Sequence, residues 1–137
     1  MRIGIVVNPD AGLGGRLGFK GSDGRAKEAR KAGAQDRAGP RMGQCLNKFF
    51  ELLKSTLNRS GVSPELYAWE GRMGGDWISH DYQVVGKSPA TSSAADTTNL
   101  VEQLTGLQVD VILYAGGDGT TRDIVNALGQ EKIPLIG

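Results

Sequence analysis

The sequence predicts an α/β fold, a Rossmann-like three-layer domain with a mainly parallel sheet. Short apolar runs alternate with segments of helical periodicity, the βα pattern that builds parallel sheets covered by helices on both faces. Glycine supplies 21 of the 137 residues, about double its usual ~7% share, and sits largely in the segments that join the apolar runs. Finally, the apolar stretch 109–113 leads into Tyr114-Ala115-Gly116-Gly117-Asp118-Gly119-Thr120-Thr121, and a helical pattern with Ile124, Val125 and Leu128 follows. A buried strand thus feeds a glycine turn that opens a helix. A chain of 137 residues is one domain and can bury a substantial core.

Residues 2–7, rich in Ile and Val, read as the first buried strand. Residues 8–25 are glycine-rich and read as loop. Residues 26–34 carry a weak apolar face and high charge, and form a short helix or an irregular segment. Pro40 suits the start of a longer helix that ends near Ser60 and Gly61. Its residues Met42, Cys45, Leu46, Phe49, Leu53 and Leu57 recur at helical spacing and give one buried face. Residues 65–69 read as the second strand, 71–79 as a glycine turn with a little helix, and 82–85 as the third strand. Residues 89–93 form a polar loop before a helix over 96–105, with Leu100, Val101, Leu104 and Leu107 on one side. Residues 109–114 make the fourth strand, 120–128 the next helix and 133–136 the fifth strand. Thr120 is a candidate N-cap, paired with Asp123 in a box-like arrangement.

Composition excludes several function classes. A formal charge of +1 gives no electrostatic case for nucleic-acid or membrane partners. No stretch reaches the ~18 apolar residues of a membrane helix, and the N-terminus lacks a signal-peptide pattern, so a cytoplasmic location is the default. The single cysteine, Cys45, excludes an internal disulfide, fits a reducing compartment, and reads as a core thiol rather than a nucleophile. The single histidine, His80, cannot make a histidine-rich metal site and reads as a surface residue. Trp69 and Trp77 read as packing residues.

The candidate chemistry gathers at strand ends, where open α/β sheets bind ligands. Gly116, Gly117 and Gly119 let a ligand approach the backbone around one carboxylate, Asp118. The helix that follows offers unpaired N–H groups to phosphate oxygens. Thr120 and Thr121 add hydroxyls, although capping alone accounts for Thr120. Gly12, Gly14 and Gly15 suit a backbone nest for phosphate, at a spacing that is neither a Walker P-loop nor GxGxxG. Lys20 can reach a phosphate as a point charge, and Asp23 can orient a ribose or a metal-bound water. Mobile surface residues account for both equally well. Thr91, Ser92, Asp96 and Thr97 read as capping residues before a nucleotide contact. The basic residues Arg16, Arg25, Lys27, Arg30, Lys31, Arg37 and Arg41 read as a solvated face before a polyphosphate site. Asp118 alone is too few ligands for a protein-only metal site.

The run from Gly116 to Thr120 resembles the GGDGT signature shared by NAD kinases and diacylglycerol-type lipid kinases. Residues 5–9, followed by Ala11-Gly12-Leu13-Gly14-Gly15, resemble the opening strand and NPxxG loop of that superfamily. Residues 18–24 are similar to the predicted ATP-NAD kinase branch that includes AcoX-like proteins, and the likeness extends over nearly the whole chain. The resemblance implies Asp118 as general base toward the adenosine-ribose 2′-hydroxyl of NAD, and a nucleotide contact at Asn8, whose other reading is an Asx-turn. It implies ATP with Mg²⁺, or polyphosphate, as donor and NAD or a related acceptor. Lipid or small-molecule phosphorylation, or nucleotide binding without turnover, stay open beside it. In this family a second, largely β domain follows the fifth strand. The resemblance therefore implies that residues 1–137 are the N-terminal domain alone, with uncovered apolar surface that promotes self-association.

Overall fold

A computed structural model describes residues 1–13, 28, 31, 33–56 and 63–137. The expected loop and short helix over 14–34 and the end of the long helix, with Leu57, fall wholly or mostly outside these residues. The elements run β1 (Arg2–Val7), α1 (Ala38–Thr56), β2 (Glu65–Glu70), a 3₁₀ turn (Gly75–Trp77), β3 (Tyr82–Lys87), α2 (Ala94–Gly106), β4 (Val111–Ala115), α3 (Asp118–Leu128) and β5 (Leu135–Ile136). The five strands form one sheet in the order β3-β2-β1-β4-β5, and each pairing is parallel. The expected α/β class and parallel sheet are what the chain adopts.

Alternation along β1 explains the three layers. Ile3, Ile5 and Val7 pack with Met42 and Leu46 of α1 and with Leu66 and Ala68 of β2. Val6 points to the other face, into a cluster with Leu100, Val101 and Leu104 of α2, Ile112 of β4 and Ile124 of α3. Successive strand side chains point to opposite faces, so a central strand flanked by helices on both sides must be apolar throughout. Gly4 occupies the second face with no side chain, and Leu104 fills its place: a Cβ at Gly4 would stand 2.8 Å from Leu104 Cδ1.

At the sheet edge, the β2–β3 register shifts between Ala68 and Trp69. Trp69 lies over Gly86, where a Cβ would meet the indole, and its Nε1 donates to Gln103 Oε1 at 2.6 Å. Trp77 Nε1 donates to the Arg72 carbonyl oxygen at 2.7 Å. Both tryptophans are packing residues. α2 begins with a capping box in which Asp96 Oδ2 accepts from Ser93 N at 2.8 Å, so Asp96 is a capping residue.

Four expectations are corrected. Cys45 is exposed, because the buried stripe of α1 runs through Met42 and Leu46 and turns Cys45 to its edge. His80 is half-buried and stacks on Phe50 with ring centroids 4.1 Å apart. Leu107 follows the last residue of α2 and leaves its buried stripe, at 38% exposure. Lastly, α3 starts two residues before Thr120, with Gly117 at the N-cap. Thr120 is therefore inside the first turn and 3% exposed, and it does not cap the helix with Asp123. No described helix is long and apolar enough to cross a membrane.

Candidate nucleotide site at the strand switch

From β1 the chain builds β2 and β3 to one side, then crosses to β4 on the other. β1 and β4 run in register from Ile3 opposite Val111 to Val7 opposite Ala115. Their carboxyl ends therefore open side by side, and the order reverses there. That is the crevice where open α/β sheets bind ligands. Asn8 leaves β1 at this point and Gly116 leaves β4.

Asn8 stitches the two exits together. Its backbone N–H donates to the Ala115 carbonyl oxygen at 2.9 Å. Its Oδ1 accepts from Asp10 N at 3.0 Å, which is the Asx-turn. Its Nδ2 donates to Thr120 Oγ1 at 2.8 Å, tying the first turn of α3 to β1. Gly116 makes room for this contact, since a Cβ there would fall 2.4 Å from Thr120 Cβ. Thr121 Oγ1 donates to the Gly117 carbonyl oxygen at 3.3 Å and shares a 2.8 Å hydrogen bond with the Tyr114 hydroxyl. Both threonine hydroxyls are thus engaged inside the fold.

What the turn offers outward is backbone and one carboxylate. Gly116, Gly117, Asp118 and Gly119 are all exposed. Asp118 is the first residue of α3, at the end where a negative charge is favoured by the helix dipole. The first amides of α3 have no intrahelical acceptor. Gly117 and Gly119 have neither positive φ nor any neighbour within 4 Å of an added Cβ. The fold's own packing does not require glycine at either position.

A cavity of about 440 Å³ opens beside the turn. Gly116 and Gly117 form part of its wall, Met42 and Leu113 give it apolar surface, and Arg37, Arg41 and Cys45 line it from the α1 side. Gly12 also lines it, with φ +78°, a conformation that glycine adopts without strain. Gly14, Gly15, Lys20 and Asp23 lie outside the described residues. The switch thus gathers Asn8, Gly12, Gly116, Gly117, Asp118, Gly119, Thr120 and Thr121 at one sheet edge. Sequence reasoning placed Arg37 and Arg41 on a solvated face. The signal that could have placed them at the cavity is their four-residue spacing at the start of a helix, which puts both on one side.

Among the described residues, no three His, Cys, Asp or Glu side chains gather to hold a metal ion. Tyr67, whose phenol is raised because the Glu65 carboxylate accepts its hydrogen bond, lies on β2 and takes no part in the cavity. A family model described as the ATP-NAD kinase N-terminal domain matches residues 3–137. No curated protein and no solved structure matches the chain.

Proposed function

The chain belongs to the ATP-NAD kinase N-terminal domain family, and from that membership we propose that it binds a nucleotide at the strand switch and supplies Asp118 to phosphoryl transfer onto NAD. The observation that carries the reading is the bare backbone at Gly117 and Gly119. Glycine inside a helix costs roughly 0.5–1 kcal/mol relative to alanine, and nothing in the fold repays that cost at Gly119. A ligand that approaches the main chain closely does.

In the proposed reaction the adenosine-ribose 2′-hydroxyl oxygen attacks the terminal phosphorus of ATP or polyphosphate. The bond from that phosphorus to the bridging oxygen breaks, and ADP, or the polyphosphate shortened by one unit, leaves with that oxygen. Asp118 accepts the hydroxyl proton, and the transferred group ends as the 2′-phosphate of NADP. Little covalent work falls to the protein, so catalysis of this kind is mostly positioning and charge neutralisation. The first amides of α3 and the Gly116–Gly117 backbone suit phosphate oxygens. Mg²⁺ commonly keeps several waters and binds through substrate phosphates, so it would arrive on the donor's phosphates, which leaves Asp118 free to take the proton. When bound, the ion neutralises charge on the phosphates.

A thermal-shift titration with ATP·Mg²⁺ and with NAD tests the binding. A ligand that binds only the folded chain stabilises it by about 2.7 kcal/mol at a hundredfold excess over Kd. A saturable rise in melting temperature is expected with at least one of them, and no rise with either contradicts the reading. Gly119→Ala sharpens the test. It is expected to raise the unliganded melting temperature, through about 0.5–1 kcal/mol of added stability, while weakening the ligand-induced shift. Gains in both would show that the glycine serves no ligand.

A further inference from the structure

The cavity holds two positive charges that the proposed chemistry has not used. Arg41 N donates to the Arg37 carbonyl oxygen at 3.2 Å, so the two residues stand one helical turn apart and share a face. Both line the cavity together with Gly116 and Gly117. Neither guanidinium makes an ion pair or hydrogen bond among the described residues. The neighbouring acid, Asp36, pairs with Arg72 at 2.7 Å. The Arg37 stem lies against Gly12, with Cδ 3.5 Å from where a Cβ would stand, so Gly12 and Arg37 form one wall.

We propose that Arg37 and Arg41 form a phosphate-binding subsite facing the glycine turn across the cavity, which takes the phosphate chain of a nucleotide or a free polyphosphate. This rests on the nucleotide reading above. Guanidinium groups match phosphate in geometry, and their charge-assisted hydrogen bonds are roughly twice as strong as neutral ones. A chain of phosphates can meet backbone amides at the turn and guanidinium groups at the start of α1 together, which a single phosphate cannot do as well. The subsite also explains why two arginines without an ion pair among the described residues border a wall that is otherwise largely apolar.

Cys45, the single thiol of the chain, lines the same cavity and is exposed. Its alkylation rate therefore reports occupancy without any assay of turnover. Inorganic tripolyphosphate is expected to slow alkylation of Cys45 saturably in the unaltered chain. Arg37→Gln and Arg41→Gln are each expected to weaken that protection about tenfold, equivalent to ~1.4 kcal/mol. The lysine replacements Arg37→Lys and Arg41→Lys should retain only part of it, since an ammonium keeps the charge and loses the bidentate fork. Unliganded melting temperatures should match across the set, since both side chains are exposed. The same losses with ATP in place of tripolyphosphate would put a nucleotide's phosphates at the subsite, and losses with tripolyphosphate alone would put free polyphosphate there. Equal protection in the unaltered chain and the double glutamine variant overturns the proposal, as does no protection by either probe. The kinase reading is judged separately, by NAD binding and by Asp118→Asn, so it can fail while the arginine subsite stands, or the reverse.

Discussion

Asp118→Asn is expected to lower the rate of NADP formation by about 10²–10⁴-fold, the usual worth of a positioned general base. Asparagine keeps the size of the side chain and removes its ability to take a proton. The fold should hardly notice. Asp118 is exposed at the first residue of α3, and exposed substitutions are usually worth less than ~0.5 kcal/mol. The lost charge at the helix N-terminus adds roughly 0.3–1 kcal/mol. The informative result is therefore a split, with turnover lost while melting temperature and nucleotide affinity change little. An asparagine variant that phosphorylates NAD at the normal rate would reduce Asp118 to a residue of the turn. Rates of NADP formation measured beside urea denaturation separate the two.

The second large effect concerns the packing that holds the switch in place. Leu104→Ala is expected to cost 2–5 kcal/mol, the range for truncating a buried leucine. Leu104 is fully buried and fills the space that Gly4 leaves open on central strand β1. A domain stability of roughly 5–15 kcal/mol makes that a large fraction of the total. Leu107→Ala is the internal comparison. It removes the same atoms from a side chain 38% exposed and should cost well under half as much. Urea midpoints of the two variants give the answer. Equal small losses would mean that α2 does not pack on β1 as described.

Much of this architecture is legible in the sequence because the dominant physics is local. The run Ile3, Ile5, Val6 and Val7 has to be a strand buried on both faces, and Leu100, Val101 and Leu104 have to be one side of a helix. The glycine turn after β4 is equally plain, since apolar strand, glycines and helical period succeed one another without a gap. The misreadings share a different cause. Thr120 has the chemistry of an N-cap, yet its hydroxyl is taken by Asn8, 112 residues away in sequence. No local pattern encodes that contact. It appears only once β1 and β4 are in register. Cys45 falls on the edge of the apolar face of α1, where spacing alone cannot separate buried from bordering. The exposure of Leu107 turns on where α2 stops, and helix ends are set by capping and the following turn more than by periodicity. Arg37 and Arg41 are exposed, as a solvated face requires; that they also border a cavity is not written locally, because the cavity is made by four separate stretches of the chain.

Asp118, the glycines around it and Asn8 were legible as site candidates for one reason. They are strand-end residues, and a parallel sheet brings strand ends together. What the sequence withheld was the division of labour among them. Asn8, Thr120 and Thr121 hold the turn in shape through hydrogen bonds of 2.8 to 3.3 Å, and Gly117, Asp118 and Gly119 face outward.

The most direct test of a nucleotide site at the strand switch is a map of backbone amide shifts in the chain titrated with ATP·Mg²⁺ and with NAD. The expected result is a saturable set of changes centred on Gly116, Gly117, Asp118 and Gly119, extending to Gly12 and Arg41, with the outer strand β3 unmoved. Changes confined to β3 and the start of α2, or no saturable change with either nucleotide, would contradict it.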